Sequence, residues 1–176
     1  GMNDIVVVGG LEKMTDVSTS DATVALAGAG DIEWEFFSGA TFPSLYALLA
    51  RRHMKEFGTT EEQMAMVAVK NHDNGSKNEY AQFRNRLTVD QVLNSKPIAS
   101  PLKILDCSPI TAGAALVILA PLDIAKKYTD TPIEIIGSAQ ASDALALHDR
   151  DSLTELKATR IAAEKAYRQA HITPKD

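Results

Sequence analysis

The residues able to do chemistry are few and scattered. Cys107 is the single cysteine. A thiol is a nucleophile when a neighbouring base or cation favours the thiolate, and otherwise a small apolar residue that packs. Ordinary cysteine burial favours packing for Cys107, ahead of the apolar run that follows it. Ser108, beside it, reads either as a ligand contact or as a turn serine before Pro109 that satisfies local backbone amides. His53 and His72 have no cysteine or carboxylate at triad spacing. His148, in LALHDRD, is given no proton-transfer role. One cysteine and four histidines without paired spacing argue against a structural zinc site. Arg51, Arg52, Arg84 and Arg86, with His53, are cations able to meet phosphate, although most surface arginines only solvate a face or pair weakly. Met14 and Met54 could line an adaptable apolar tunnel, with core packing the commoner use of such thioethers. Gly9-Gly10 is followed by neither a dinucleotide nor a Walker pattern, and no G-x-S-x-G elbow exists.

These residues must be positioned by alternating strands and helices. Ile5 to Val8, closed by Gly9 and Gly10, predicts a short strand buried in a covered sheet. Residues 11–40 read as an irregular excursion with a short helix over 20–26. Pro43 and the stripe Leu45, Tyr46, Leu49, Phe57 predict a helix stopped by Gly58. Thr60 with Gln63, Thr88 with Gln91 and Ser152 with Glu155 fit capping boxes. They predict helices over about 61–71, 88–94 and from 152 to near His171 and Pro174, with a turn at Asn74-Gly75. Pro97 and Pro101 flank an extended crossing. Ala114 to Leu119 predicts a second strand, 122–128 a short helix, and Ile133 to Ile136 a third strand. The expected class is α/β, with sheet strands covered by helices and a helix-rich insertion between them.

Composition narrows the partners. A net charge of −5 with 45% hydrophobic and 23% charged residues suits a globular chain and argues against a nucleic-acid footprint or an anionic membrane surface. No apolar run approaches about 18 residues and no basic segment leads into one, so no membrane span or signal peptide is expected and the compartment read is cytoplasmic. Gly1-Met2 reads equally as a tag remnant with a start or as interior sequence. The chain stops after its last helix without a returning strand, as an internal fragment would.

Three stretches carry a family resemblance. VVVGGLEKMTD, residues 6–16, resembles the strand and glycine turn after the nucleophile-bearing helix of the thiolase superfamily, in its sterol-carrier-protein type and archaeal acetyl-CoA acetyltransferase branch. The block from GATFPSLYALLARRHM through VAVKNHDNGSKNEYAQFR to LDCSPITAGAALVILA, residues 39–120, is the most specific. IIGSAQASDALALHDRDSL with ATRIAAEKAYRQAHITPKD, residues 135–176, resembles the entry into that family's second half.

The resemblance implies a partial thiolase-like fold. Residues 1–20 would end the first half, 21–113 form the inserted loop domain, 114–130 give the last strand and helix of the first half, and 131–176 open the second. It implies the central portion of an acetyl-CoA C-acetyltransferase or 3-ketoacyl-CoA thiolase without the catalytic cysteine and histidines, and therefore inactive alone. The alternative is a non-catalytic coenzyme A binding or scaffold module. Coenzyme A or acetyl-CoA is implied as substrate with no tightly bound cofactor. Ser108 matches the serine that contacts the pantetheine arm, and Arg52, His53, Met54 and Arg84 are the other implied contacts. Ala112 departs from the family, which commonly has an aspartate there. A homo-oligomer is implied, as are other subunits of a thiolase complex.

Overall fold

The computed structural model describes residues 3–176, so the Gly1-Met2 pair lies outside the described residues. In chain order the regular elements are β1 (Val6–Lys13), α1 (Thr19–Ala27), α2 (Phe42–Phe57), α3 (Glu61–Ser76), α4 (Val89–Leu93), β2 (Pro97–Ala99), β3 (Leu102–Lys103), β4 (Ala112–Leu119), α5 (Leu122–Ala125) and α6 (Lys157–Ala170). The class is α/β, as expected. The chain divides into two compact units, one containing the residues up to Ala22 with Ile110–Asp143 and Leu156–Asp176, the other Thr23–Pro109 with Ala144–Glu155.

The first unit is built on β1 and β4, which pair antiparallel from Val6 opposite Leu119 to Lys13 opposite Ala112. Two expectations change here. Strand β1 runs through Gly9 and Gly10 rather than ending at them, because a Cβ on Gly9 would lie 3.0 Å from the Leu116 side chain that crosses it from the facing strand. Neither strand is buried: every residue of both is exposed. Burying both faces of a strand needs a layer on either side. A third expected strand, Ile133 to Ile136, is extended coil with Ile133 94% exposed. An apolar run becomes a strand only where a neighbour offers backbone partners. This segment is held instead by α6, since the Ser138 N–H donates to Gln169 Oε1 at 3.0 Å.

The second unit is helical and locally encoded. Pro43 sits in the first turn of α2, where its missing N–H costs nothing, and Gly58 closes the helix at φ 71°. Thr60 and Gln63 exchange bonds at 3.0 and 3.3 Å to cap α3. Thr88 and Gln91 do the same at 2.9 and 3.2 Å for α4. Ahead of α2, Asp31 Oδ1 accepts the Trp34 N–H at 2.8 Å and starts a π-helical turn over Ile32–Phe36. Helix α3 continues through Asn74-Gly75, where a turn was expected. A Cβ there would be tight, since the Phe83 carbonyl oxygen lies 3.1 Å from its position. The tightly buried residues of this unit include Ala27, Ala47, Ala65, Val92 and Ala146, small side chains that let backbones approach, together with Pro101.

The third capping box is not one. Ser152 Oγ accepts the Thr154 and Glu155 N–H groups, both at 3.2 Å, but the helix begins five residues later, at Lys157. The chain passes from one unit to the other after Glu155, so the serine closes a turn there rather than a helix.

Candidate functional site

The cavity that matters lies wholly in the second unit, about 400 Å³ in volume, at the lower end of the range for small-molecule sites. One wall is α3, which contributes Met64, Val67, Ala68, Asn71 and His72. The other is the segment after β2, with Leu102 and Leu105 followed by Asp106, Cys107, Ser108 and Pro109. The walls are mostly apolar, with polar groups from Asn71, His72, Asp106 and Ser108.

Local bonds fix the second wall. Strands β2 and β3 form a small antiparallel ladder across a cis Ser100-Pro101 bond. The Ile104 N–H donates to the Lys96 carbonyl at 2.8 Å. Asp106 Oδ2 accepts the Lys103 N–H at 2.8 Å and shapes a 3-10 turn over Ile104–Asp106. The Lys103 ammonium, only 14% exposed, pairs with Glu61 in the first turn of α3 and so ties this wall to the helix opposite. Cys107 and Ser108 emerge directly from that turn. Burial, helped by the Asp106 carboxylate, pushes the Cys107 thiol above its ordinary pKa. A catalytic thiolate requires the opposite shift.

His72 was set aside in the sequence for want of a partner, yet it lines the cavity. Its Nδ1 lies 3.0 Å from the Asn85 carbonyl oxygen, and its ring stacks on Phe83 at 6.4 Å and 21°. Arg84 therefore stands between the two residues that hold the cavity's histidine, with an exposed side chain. The other candidate arginines, Arg51, Arg52 and Arg86, are engaged. Arg51 donates to the Ser100 carbonyl at 2.9 Å and hydroxyl at 3.0 Å. Arg52 pairs with Glu56 and Arg86 with Asp73, both at 3.0 Å. Asp73 also accepts from Lys77, and that hydrogen bond, with the charges of Lys77 and Arg86, holds its carboxyl below the usual range.

The α2 candidates do not line the cavity. His53 Nδ1 is 2.8 Å from the Thr59 hydroxyl and its ring is 4.7 Å from that of Phe57, while the carbonyl of half-buried Met54 accepts the Gly58 N–H. Met14 belongs to the first unit, after β1. His148 lies 3.7 Å from Glu35, whose carboxylate accepts the Leu147 N–H at 2.6 Å and holds residues 147–149 against the π-helical turn. Among the described residues no three histidine, cysteine or carboxylate groups gather as metal ligands. No helix among them is long and apolar enough to cross a membrane.

Residues 1–123 match the family model described as the thiolase N-terminal domain. The chain is 57% identical over its whole length to an acetyl-CoA acetyltransferase of Methanothermobacter thermautotrophicus, and 53% to that of Methanocaldococcus jannaschii, in each case covering 45% of the relative. A solved structure described as an Ltp2-ChsH2(DUF35) aldolase superposes with a TM-score of 0.84 at 25% identity, over 98% of this chain and 46% of that one. The chain thus spans a little under half the length of these relatives.

Proposed function

Because this chain belongs to the thiolase family, we propose that it is the central portion of an acetyl-CoA C-acetyltransferase or 3-ketoacyl-CoA thiolase, a protein that moves acyl groups between coenzyme A thioesters by Claisen condensation or thiolysis. The cavity beside Ser108 carries the proposal. A pantetheine arm is a narrow chain of methylenes interrupted by two amides. It calls for apolar walls with a few hydrogen-bonding groups, as Met64, Val67, Leu102 and Leu105 with Ser108, Asn71 and His72 provide. Arg84, exposed on the segment that anchors His72, is the arginine we assign to the phosphates. Arg52, His53 and Met54 are assigned to the approach to that site.

The chain's own residues supply binding and orientation, and the acyl-carrying thiolate, its base and the oxyanion donors belong to parts of the thiolase outside it. The raised pKa of Cys107 supports that division. The boundaries proposed remain a loop domain over 21–113 between the end of the first half and a second half opening at 131. We assign the site of action to the cytoplasm. Among the described residues β1 and β4 each keep one edge unpaired, which supports pairing with a second copy, and the two components named in the solved neighbour support a complex with another subunit.

A binding or scaffold module that grips coenzyme A without catalysis is the second reading, favoured by a cavity complete within one compact unit. The test is acetoacetyl-CoA thiolysis together with coenzyme A titration of the 176-residue chain. Saturable binding without thiolysis is expected. Turnover that survives Cys107→Ser in homogeneous protein overturns the assignment of the chemistry to missing parts, and no binding at millimolar coenzyme A overturns the cavity. The intact mass of the native protein separates the two readings: about twice this chain's mass means a complete thiolase, and this chain's own mass means a free-standing module.

A further inference from the structure

We infer that His72 is the cavity's hydrogen-bond acceptor for an amide N–H of the bound pantetheine arm, held for that task by Phe83 and Asn85; the inference rests on the coenzyme A reading above. Three observations meet at this ring. It lines the cavity. Its Nδ1 lies 3.0 Å from the carbonyl oxygen of Asn85. Its face stacks on Phe83.

A carbonyl oxygen can only accept, so the proton of the neutral ring must sit on Nδ1. That leaves Nε2 as a bare acceptor, and among the described residues it has no hydrogen-bond partner. Of the other polar groups on the wall, the Ser108 hydroxyl can give or take, and the Asn71 amide can do either. The Asp106 carboxylate is also an acceptor, but its Oδ2 already takes the Lys103 N–H; the His72 Nε2 is an acceptor left over because Asn85 has used the ring's only proton. A ligand N–H satisfies it, whereas a second carbonyl would leave two acceptors facing each other and cost binding. Gly75 eases the arrangement. Its missing Cβ lets the Phe83 carbonyl come close to α3, and that approach brings the 83–85 segment back to His72. The site therefore distinguishes the amide-bearing arm from an aliphatic tail of the same width.

Substitution at His72 can separate the two nitrogens. An asparagine side chain can replace the Nδ1–H donor and keep the bond to Asn85, while the longer glutamine reaches the position of Nε2 with an acceptor oxygen. Phenylalanine keeps the stack and removes both. Coenzyme A, pantetheine and adenosine 3′,5′-bisphosphate would be titrated by calorimetry into the intact protein and its His72→Gln, His72→Asn and His72→Phe variants. Loss of a neutral hydrogen bond should weaken coenzyme A and pantetheine about five- to tenfold in His72→Asn and His72→Phe. His72→Gln should lose less, and adenosine bisphosphate should be unaffected throughout.

Nitrogen NMR of the unsubstituted protein reads the same contact without a variant. Pantetheine should move the Nε2 resonance of His72 and leave Nδ1 protonated. Binding indifferent to the His72 variants, a larger loss in His72→Gln than in His72→Asn, or an unmoved Nε2 resonance overturns the inference and leaves the coenzyme A reading standing. Failure of coenzyme A to bind the unsubstituted protein overturns both.

Discussion

Gly137→Ala should loosen the last helix from the segment it packs on. The new Cβ would lie 2.6 Å from the backbone oxygen of Ala166 and 3.1 Å from the Cβ of Ala170, both on α6. Real Cβ atoms essentially never come within 3.0 Å of such an atom. The obstruction is helix backbone, not the end of a flexible side chain, so α6 or the extended segment 133–137 must move. Overpacking of this kind costs about 1–3 kcal/mol, and the backbone obstacle puts this case in the upper half. The alanine also removes freedom from the unfolded chain, returning about 0.4–1 kcal/mol. The net loss is then roughly 1–2.6 kcal/mol, or about 2–10 °C in Tm for a chain of this size. Urea unfolding followed by far-ultraviolet circular dichroism would measure it. Hydrogen exchange at Ser138, whose N–H is bonded to Gln169 on α6, would localise it. Gly10→Ala is the control, because nothing lies within 4 Å of its Cβ position. Equal stability of the two variants would refute the packing of α6 on Gly137.

Arg84→Ala should weaken coenzyme A binding about threefold to tenfold and leave pantetheine unchanged, whereas Arg51→Ala, which breaks two bonds to Ser100, should lower stability by about 1–2 kcal/mol; calorimetry and urea titration separate these effects. Iodoacetamide should alkylate Cys107 more slowly at neutral pH than an exposed peptide thiol, with the rate rising at higher pH than the ordinary midpoint of about 8.5, and Asp106→Asn should recover only a minor part because burial is the larger cause. Asp73 binds its proton less readily folded than unfolded, so its contribution to stability is complete above the unfolded carboxylate pKa of about 3.9 and is lost as pH falls through the lower folded value. Carbon NMR titration should place its midpoint below the usual range, and Lys77→Ala should raise it. Thr88→Ala should cost about 1 kcal/mol by uncapping α4, read as faster exchange of the Gln91 amide.

What the sequence made legible was what neighbouring residues decide among themselves. The boxes at Thr60 and Thr88 formed because donor and acceptor are three residues apart and need no other help. The box at Ser152 makes its local bonds too, but whether a helix follows depends on where the chain is going, and there it leaves one unit for the other. Ile133 to Ile136 has the composition of a strand and, among the described residues, no strand paired with it. The candidate site divides the same way. Ser108 was singled out through the family resemblance of DCSPITAGAA, and it lines the cavity. His72 was missed because its partners, Phe83 and Asn85, are brought back by a glycine that reads in isolation as a turn residue. The engagements of Arg51, Arg52 and Arg86 are side-chain geometry that charge patterning does not reveal, although Arg52 and Glu56 do stand at the favourable helical spacing.

The ladder of β1 and β4 also sets an order of events. Val6 cannot meet Leu119 until most of the chain between them has been made, whereas α3 meets α4, and β2 meets β3, across short loops. Closing a long flexible loop costs about 0.6 kcal/mol more for each doubling of its length, and contacts distant in sequence slow folding. When this chain alone folds, the contiguous part of the helical unit, Thr23–Pro109, should therefore condense before β1 finds β4. In refolding of this chain alone, Val6, Val7, Val8 and Leu11 are thus open to wrong partners, and the charges of Glu12 and Lys13 at the end of that strand act against such pairing until β4 arrives.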